Sequence, residues 1–153
     1  MTRGRMIGIA AAGSAALLLG ALAFQHIGGL APCTLCIWQR WPHLAAVVIG
    51  VLALAVRGPV GPVLGALAVL ASAGIGGFHL GVEQGWWAGL ASCSAGSIAG
   101  ISTADLLNPE VAVAAPVRCD QVAWSLAGLS MAGWNMVLSV GLAAVWLLAA
   151  RQR

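Results

Sequence analysis

Four apolar runs, three of them close to twenty residues long and the fourth longer, leave this chain few ways to fold. They lie at about 6–24, 37–56, 62–81 and 122–150, and about 20 apolar residues is the length of a membrane-crossing helix. Charge is too scarce to solvate another arrangement. Of 153 residues, 7% are charged and 61% hydrophobic, whereas a water-soluble domain carries about 25% charged residues. The surface must therefore face lipid. The expected fold is an all-α membrane protein, a single domain over 1–153 forming a four-transmembrane-helix bundle. Its one connection of any size is 82–121.

The few charges orient the bundle. All seven basic residues are arginines. Arg3 and Arg5 precede the first run, Arg57 separates the second from the third, and Arg151 and Arg153 follow the fourth. Four spans put these three regions on one side, and cytoplasmic segments are the ones enriched in Lys and Arg. Both termini are thus expected in the cytoplasm. The four acids, Glu83, Asp105, Glu110 and Asp120, all fall in 82–121, the long loop on the periplasmic face. The pI near 9.0 reflects this asymmetry and does not point to nucleic acid. "MTRGR", the run after it and "ALA" at 21–23 also have the form of a secretory signal. The run exceeds the usual signal core of about 7–15 residues, which favours a retained helix.

All four cysteines fall on the loop face: Cys33 and Cys36 in the first external turn, Cys93 and Cys119 in the long loop. Disulfides persist outside the cytosol and rarely within it. The window "APCTLCIWQRWPH" (31–43) sets a C-x-x-C at the start of the second helix, just after Pro32. A helix N-terminus offers free N–H groups and partial positive charge, which favour thiolate over thiol in such motifs. At about 100° per residue, Cys33, Cys36, Arg40 and His43 share one helix face. Other readings stand beside redox chemistry. A closed zinc site normally recruits a second close pair, and the remaining cysteines are far apart. External loops are also stapled by purely structural disulfides. Arg40 taken alone reads as an anchor snorkelling to the headgroups, although burial of its charge calls for a partner.

Taken together, "PCTLCIWQR" (32–40), "FHLGVEQGWW" (78–87), the Cys93/Cys119 pair and "CDQVAWSLAGLSMAGWN" (119–135) resemble the DsbB family of bacterial disulfide bond formation proteins. The resemblance runs from the second helix to the fourth, with the C-x-x-C first and the loop pair second. It implies a thiol:quinone oxidoreductase of the bacterial inner membrane, with its redox site on the periplasmic side. Such a protein reoxidises DsbA, a soluble periplasmic thiol oxidase, and passes electrons to a membrane quinone (ubiquinone or menaquinone). By the motif match, Cys93 would form the mixed disulfide with the partner, and Cys119 would be released to exchange with Cys33. Cys36 would face the quinone, Arg40 would contact it, and His79 would line its pocket. A thiol oxidase at about −120 mV needs an acceptor of higher potential than a glutathione-like couple, and quinones dissolve in the bilayer. The vitamin K epoxide reductase-like group couples thiols to a quinone in a similar bundle but with its loop cysteines first. A membrane protein with structural disulfides and no redox activity is the reading from a different class.

Smaller features carry smaller expectations. Trp86 and Trp87 read as interface-belt aromatics, and Gly77 with Gly81 as a close helix contact. His26 reads as a solvated or interfacial residue, Pro42 as a bend in the second helix, and 101–115 as a short helix lying on the membrane. Trp124 and Trp134 read as packing residues. The sequence presents no metal-ligand cluster.

Overall fold

The computed structural model describes residues 1–94 and 117–152. Four helices in it are long and apolar enough to cross a membrane: α1 (Arg3–His26), α2 (Thr34–Ala55), α3 (Val60–Glu83) and α5 (Met131–Arg151). A single turn, α4 (Ala91–Ser94), carries Cys93. The expected surface helix at 101–115 lies outside the described residues, as do Asp105, Glu110 and Arg153.

Two of the spans start on a side-chain cap. Cys33 is the N-cap of α2 and its sulfur accepts the Cys36 N–H. Ser130 is the N-cap of α5 and accepts from Gly133 N–H, filling one of the orphan donors of a helix start. The fourth span therefore begins at Met131, nine residues later than the expected 122. Hydropathy alone reads 122–130 as helix, but part of it is a hairpin. Strand β1 (Ser125–Leu126) pairs antiparallel with β2 (Leu129–Ser130). The turn residues Ala127 and Gly128 sit at φ 51° and 78°, the left-handed geometry a two-residue hairpin needs. The other spans begin up to a turn earlier than their apolar runs, at Arg3, Thr34 and Val60.

The core is built by one large side chain among small ones. Trp146 is fully buried in a notch between α2 and α3. A Cβ added at Gly65 would come within 2.6 Å of its ring, and one at Gly50 within 3.4 Å. Ile7, Ala10, Ala46, Val69 and Ala143 complete that cluster. Lipid tails are as apolar as leucine, so close packing of small against large residues is what holds spans together. Outward-facing residues such as Val51, Leu52, Leu54 and Leu67 are more than half exposed, as a lipid-facing surface requires.

Helix α2 continues through Pro42. The expected contact at Gly77 and Gly81 is divided: Gly77 faces Met136 of α5, while Gly81 lies under the Trp87 ring. At Gly76 the α3 backbone packs against that of α5, where a Cβ would sit 3.1 Å from the Ala132 carbonyl oxygen. At the end of the bundle away from the cysteines, Arg3 donates to the carbonyls of Val56 (3.2 Å) and Gly58 (2.8 Å). That ties the start of α1 to the α2–α3 turn.

Candidate functional site

The cysteine end of the bundle gathers both pairs. Cys93 and Cys119 form a disulfide, reinforced by a backbone bond from Cys119 N–H to the Cys93 carbonyl at 3.2 Å. Cys33 and Cys36 are free, with sulfurs 2.7 Å apart. Cys33, Cys93 and Cys119 are buried in one cluster with Leu35 and Val82. The hydrogen bond to the Cys36 sulfur, and then burial, raise the Cys33 thiol above its ordinary range.

His79, on α3, stands between the pairs. Gln39 Nε2 donates to His79 Nδ1 (3.0 Å) and to the Leu35 carbonyl (3.3 Å). With Nδ1 accepting, the neutral ring carries its hydrogen on Nε2. That N–H reaches the Cys119 carbonyl oxygen at 3.1 Å and lies 3.6 Å from Cys33 Sγ. Resemblance implies a quinone-pocket role for this residue; the ring lines the cavity described below and also bridges the two cysteine pairs. The ligand-capable atoms of Cys33, Cys36 and His79 lie within 4.8 Å of one another, a grouping that the sequence alone did not show.

A chain of polar groups continues from Gln39 into the bundle. Ser72 Oγ donates to the Gln39 carbonyl (3.1 Å), and Asn135 Nδ2 donates to Ser72 Oγ (3.1 Å). His43 Nε2 donates to Asn135 Oδ1 at 2.9 Å, with Ser139 Oγ 3.3 Å away. The other end holds Glu83, which accepts from Ser130 Oγ and lies 3.8 Å from His79 Nε2. Satisfied networks of this kind fix one arrangement of helices, since each lost partner strands a buried polar group. Gln39, Ser72, Ser139 and Glu83 were not singled out from the sequence. For Gln39, Ser72 and Ser139 the available signal was polarity within an apolar run, where polar residues face the bundle interior; Glu83 stands just past the end of its run.

Beside the free cysteines is a cavity of about 400 Å³, bounded by α1, α2, α3, α5 and the hairpin segment. Its walls include Leu17, Phe24 and Leu138, and its polar lining includes Cys36, Arg40 and His43. Phe24 packs on Trp124 with ring centroids 5.0 Å apart, closing the hairpin over α1. Arg40 donates to Gln25 Oε1 (2.5 Å) and to the Ala21 carbonyl (3.4 Å). Its Nε, like His43 Nδ1, is buried without a hydrogen-bond partner among the described residues. Unpaired buried polar atoms are uncommon and call for an account. A flat, mainly apolar ligand carrying polar oxygens suits such a cavity.

On the outer side of the site, Arg118 and Asp120 flank Cys119 and pair with each other. The guanidinium hydrogen bond holds the Asp120 carboxyl below the usual carboxylate range and raises Arg118 in turn. Trp87 folds back on α3, its indole N–H donating to the Phe78 carbonyl (3.0 Å) and its ring stacked 5.8 Å from Phe78. Trp86 and His26 are exposed. Trp134 donates to the Leu126 carbonyl at 3.0 Å, bracing the hairpin against α5.

The family model described as Disulfide bond formation protein DsbB matches residues 3–149. The chain is 31% identical to the disulfide bond formation protein B of Polaromonas naphthalenivorans, with 97% of this chain and 94% of that one aligned. It is 34% identical to the protein of that name from Methylococcus capsulatus, over 88% and 85% of the two chains. With disulfide bond formation protein B 2 of Pseudomonas aeruginosa it shares 35% identity, over 85% and 80%. No solved structure matches.

Proposed function

The chain belongs to the DsbB family and is a multi-pass, disulfide-forming membrane oxidoreductase; from that premise we propose that it reoxidises a DsbA-like periplasmic thiol oxidase and delivers the electrons to a membrane quinone. The observation that carries this reading is the position of His79 between a disulfide and a free C-x-x-C, beside an apolar cavity lined by Cys36 and Arg40.

In this scheme a thiolate of the reduced partner attacks Cys93 Sγ, forming a mixed disulfide and releasing Cys119 as thiolate. The partner's second thiolate then attacks the mixed disulfide and leaves oxidised, with Cys93 and Cys119 as the dithiol. Cys119 thiolate attacks Cys33 of an oxidised C-x-x-C, and Cys36 departs as thiolate. Cys93 attacks Cys119 in the Cys33–Cys119 bond, which restores the loop disulfide and leaves the C-x-x-C reduced, as the two pairs stand here. A quinone in the cavity supplies a two-electron, two-proton acceptor. Toward it Arg40 places a permanent cation one turn from Cys36, in a low-dielectric site where such a charge stabilises developing negative charge strongly. Apolar walls exclude water from the exchange. The free Nε–H of Arg40 is left to donate to a ligand oxygen, while His43 Nδ1, the lone-pair nitrogen when Nε2 donates to Asn135, accepts only from a ligand O–H. The inner membrane is the compartment this scheme requires, with the cysteine end toward the periplasm and the arginine end toward the cytoplasm.

The test follows quinone absorbance in detergent with a reduced DsbA-like protein as donor. Wild type is expected to consume quinone and Cys93→Ala is not. Equal rates in the two would remove Cys93 as the entry point. No consumption by wild type, with quinone and both disulfides verified, would reduce the cysteines to structural staples.

A further inference from the structure

The opposite end of the bundle holds a second cavity, of about 720 Å³, lined by Arg3, Arg57 and Arg151 together with Gly58 and Pro59. Three guanidinium-bearing residues from separate parts of the chain converge there: the start of α1, the α2–α3 turn and the end of α5. Arg3 is fixed by its bonds to the Val56 and Gly58 carbonyls, while its Nε is buried with no partner among the described residues. No acid lies at this end among the described residues, since Glu83 and Asp120 are both at the cysteine end. Pro59 is the N-cap of α3, and no side chain caps that helix start, so its partial positive charge adds to the arginines. Like charges are brought together here without a counter-charge among the described residues.

We propose that this cavity binds the phosphate of an anionic phospholipid. The site lies at the ends of four membrane-length helices, where headgroups lie, and basic pockets on the cytoplasmic side of helix bundles are suited to such headgroups. Arg3 forms the fixed wall, and Arg57 and Arg151, both exposed, close on the phosphate oxygens. The inference does not depend on the redox reading. It differs from a general excess of surface arginine because it assigns the effect to the cavity residues and leaves out Arg5, which does not line it.

The experiment uses the full chain in neutral detergent, with native mass spectrometry and thermal unfolding as readouts. Phosphatidylglycerol, phosphatidylcholine and inorganic phosphate are titrated separately. Each arginine near an anionic surface contributes about 1 kcal/mol, or about fivefold in affinity. R57Q and R151Q are each expected to weaken phosphatidylglycerol binding about fivefold, and together to abolish its preference over phosphatidylcholine. R5Q is expected to keep that preference. Equal binding of the two lipids by wild type overturns the proposal, as does a preference that survives R57Q/R151Q. An equal loss in R5Q replaces the site with diffuse surface charge. Stabilisation by millimolar inorganic phosphate equal to that by the lipid makes the site one for free phosphate and overturns the lipid assignment.

Discussion

His79 Nε2 donates to the Cys119 carbonyl oxygen at 3.1 Å, joining the third span to the segment that closes the disulfide. The same nitrogen is 3.6 Å from Cys33 Sγ, so one N–H serves both cysteine pairs. Its orientation depends on Gln39, which occupies the other ring nitrogen. His79→Ala is expected to slow exchange between the pairs about tenfold, the scale of one hydrogen bond to a charged group. His79→Gln keeps an N–H donor and should recover part of the rate, and Gln39→Leu should fall between. Acid quenching and thiol alkylation, resolved cysteine by cysteine, read this step without quinone turnover.

Arg40 and Cys36 line the same cavity. Arg40→Ala is expected to lower quinone-dependent turnover by roughly tenfold to a hundredfold, with partner binding unchanged. Cys36→Ser should abolish quinone reduction yet leave Cys93–Cys119 open to a partner's thiol. Stopped-flow absorbance, alongside mixed-disulfide trapping on gels, separates the two steps. Loss of partner binding with normal quinone kinetics would make Arg40 an anchor only.

Asn135 links His43 to Ser72 and so joins α2, α3 and α5. Asn135→Ala strands buried donors and acceptors on two other helices and is expected to destabilise the bundle by about 1–3 kcal/mol. Denaturation in mixed micelles measures it.

Gly65 faces the Trp146 ring so closely that a methyl there would lie within 2.6 Å. Gly65→Ala is expected to cost about 1–3 kcal/mol through overpacking. Gly74, with nothing within 4 Å of an added Cβ, is the matched control: Gly74→Ala should be neutral or mildly stabilising. Thermal unfolding of both in one detergent makes the comparison.

Asp120 is held low by Arg118. A carboxyl depressed on folding adds stability that is complete above its unfolded value of about 3.9 and is lost as pH falls through the folded value. The pair is therefore expected to persist at pH 5 and to release only below the normal carboxylate range. Carboxyl chemical shifts across a pH titration follow it, and Arg118→Gln should return Asp120 toward the ordinary value.

The spans were legible because hydropathy measures what lipid selects, and the gathering of Arg3, Arg57 and Arg151 at one end because each span carries the chain across the bundle once. The start of the fourth span was not. Val122, Ala123 and Leu126 look helical by hydropathy, and only the left-handed Ala127–Gly128 turn and the Ser130 cap end the hairpin. The C-x-x-C and its resemblance directed attention to Cys33, Cys36 and Arg40, which line one cavity. The bridging position of His79 and the polar chain from Gln39 to His43 were hidden, since they join residues up to 96 positions apart. Hydrogen bonds over such separations have no local periodicity to reveal them.

The cavity beside Cys36 is walled by Leu17 of α1 and Leu138 of α5, helices whose outer residues Leu19 and Val140 are exposed where the tails run. A guest for such a space dissolves in the bilayer and arrives by sideways diffusion in two dimensions. Its effective concentration is then a mole fraction of the surrounding lipid, unaltered by the volume of buffer. Saturation curves for this protein should superimpose when plotted as guest per lipid and scatter when plotted as guest per litre.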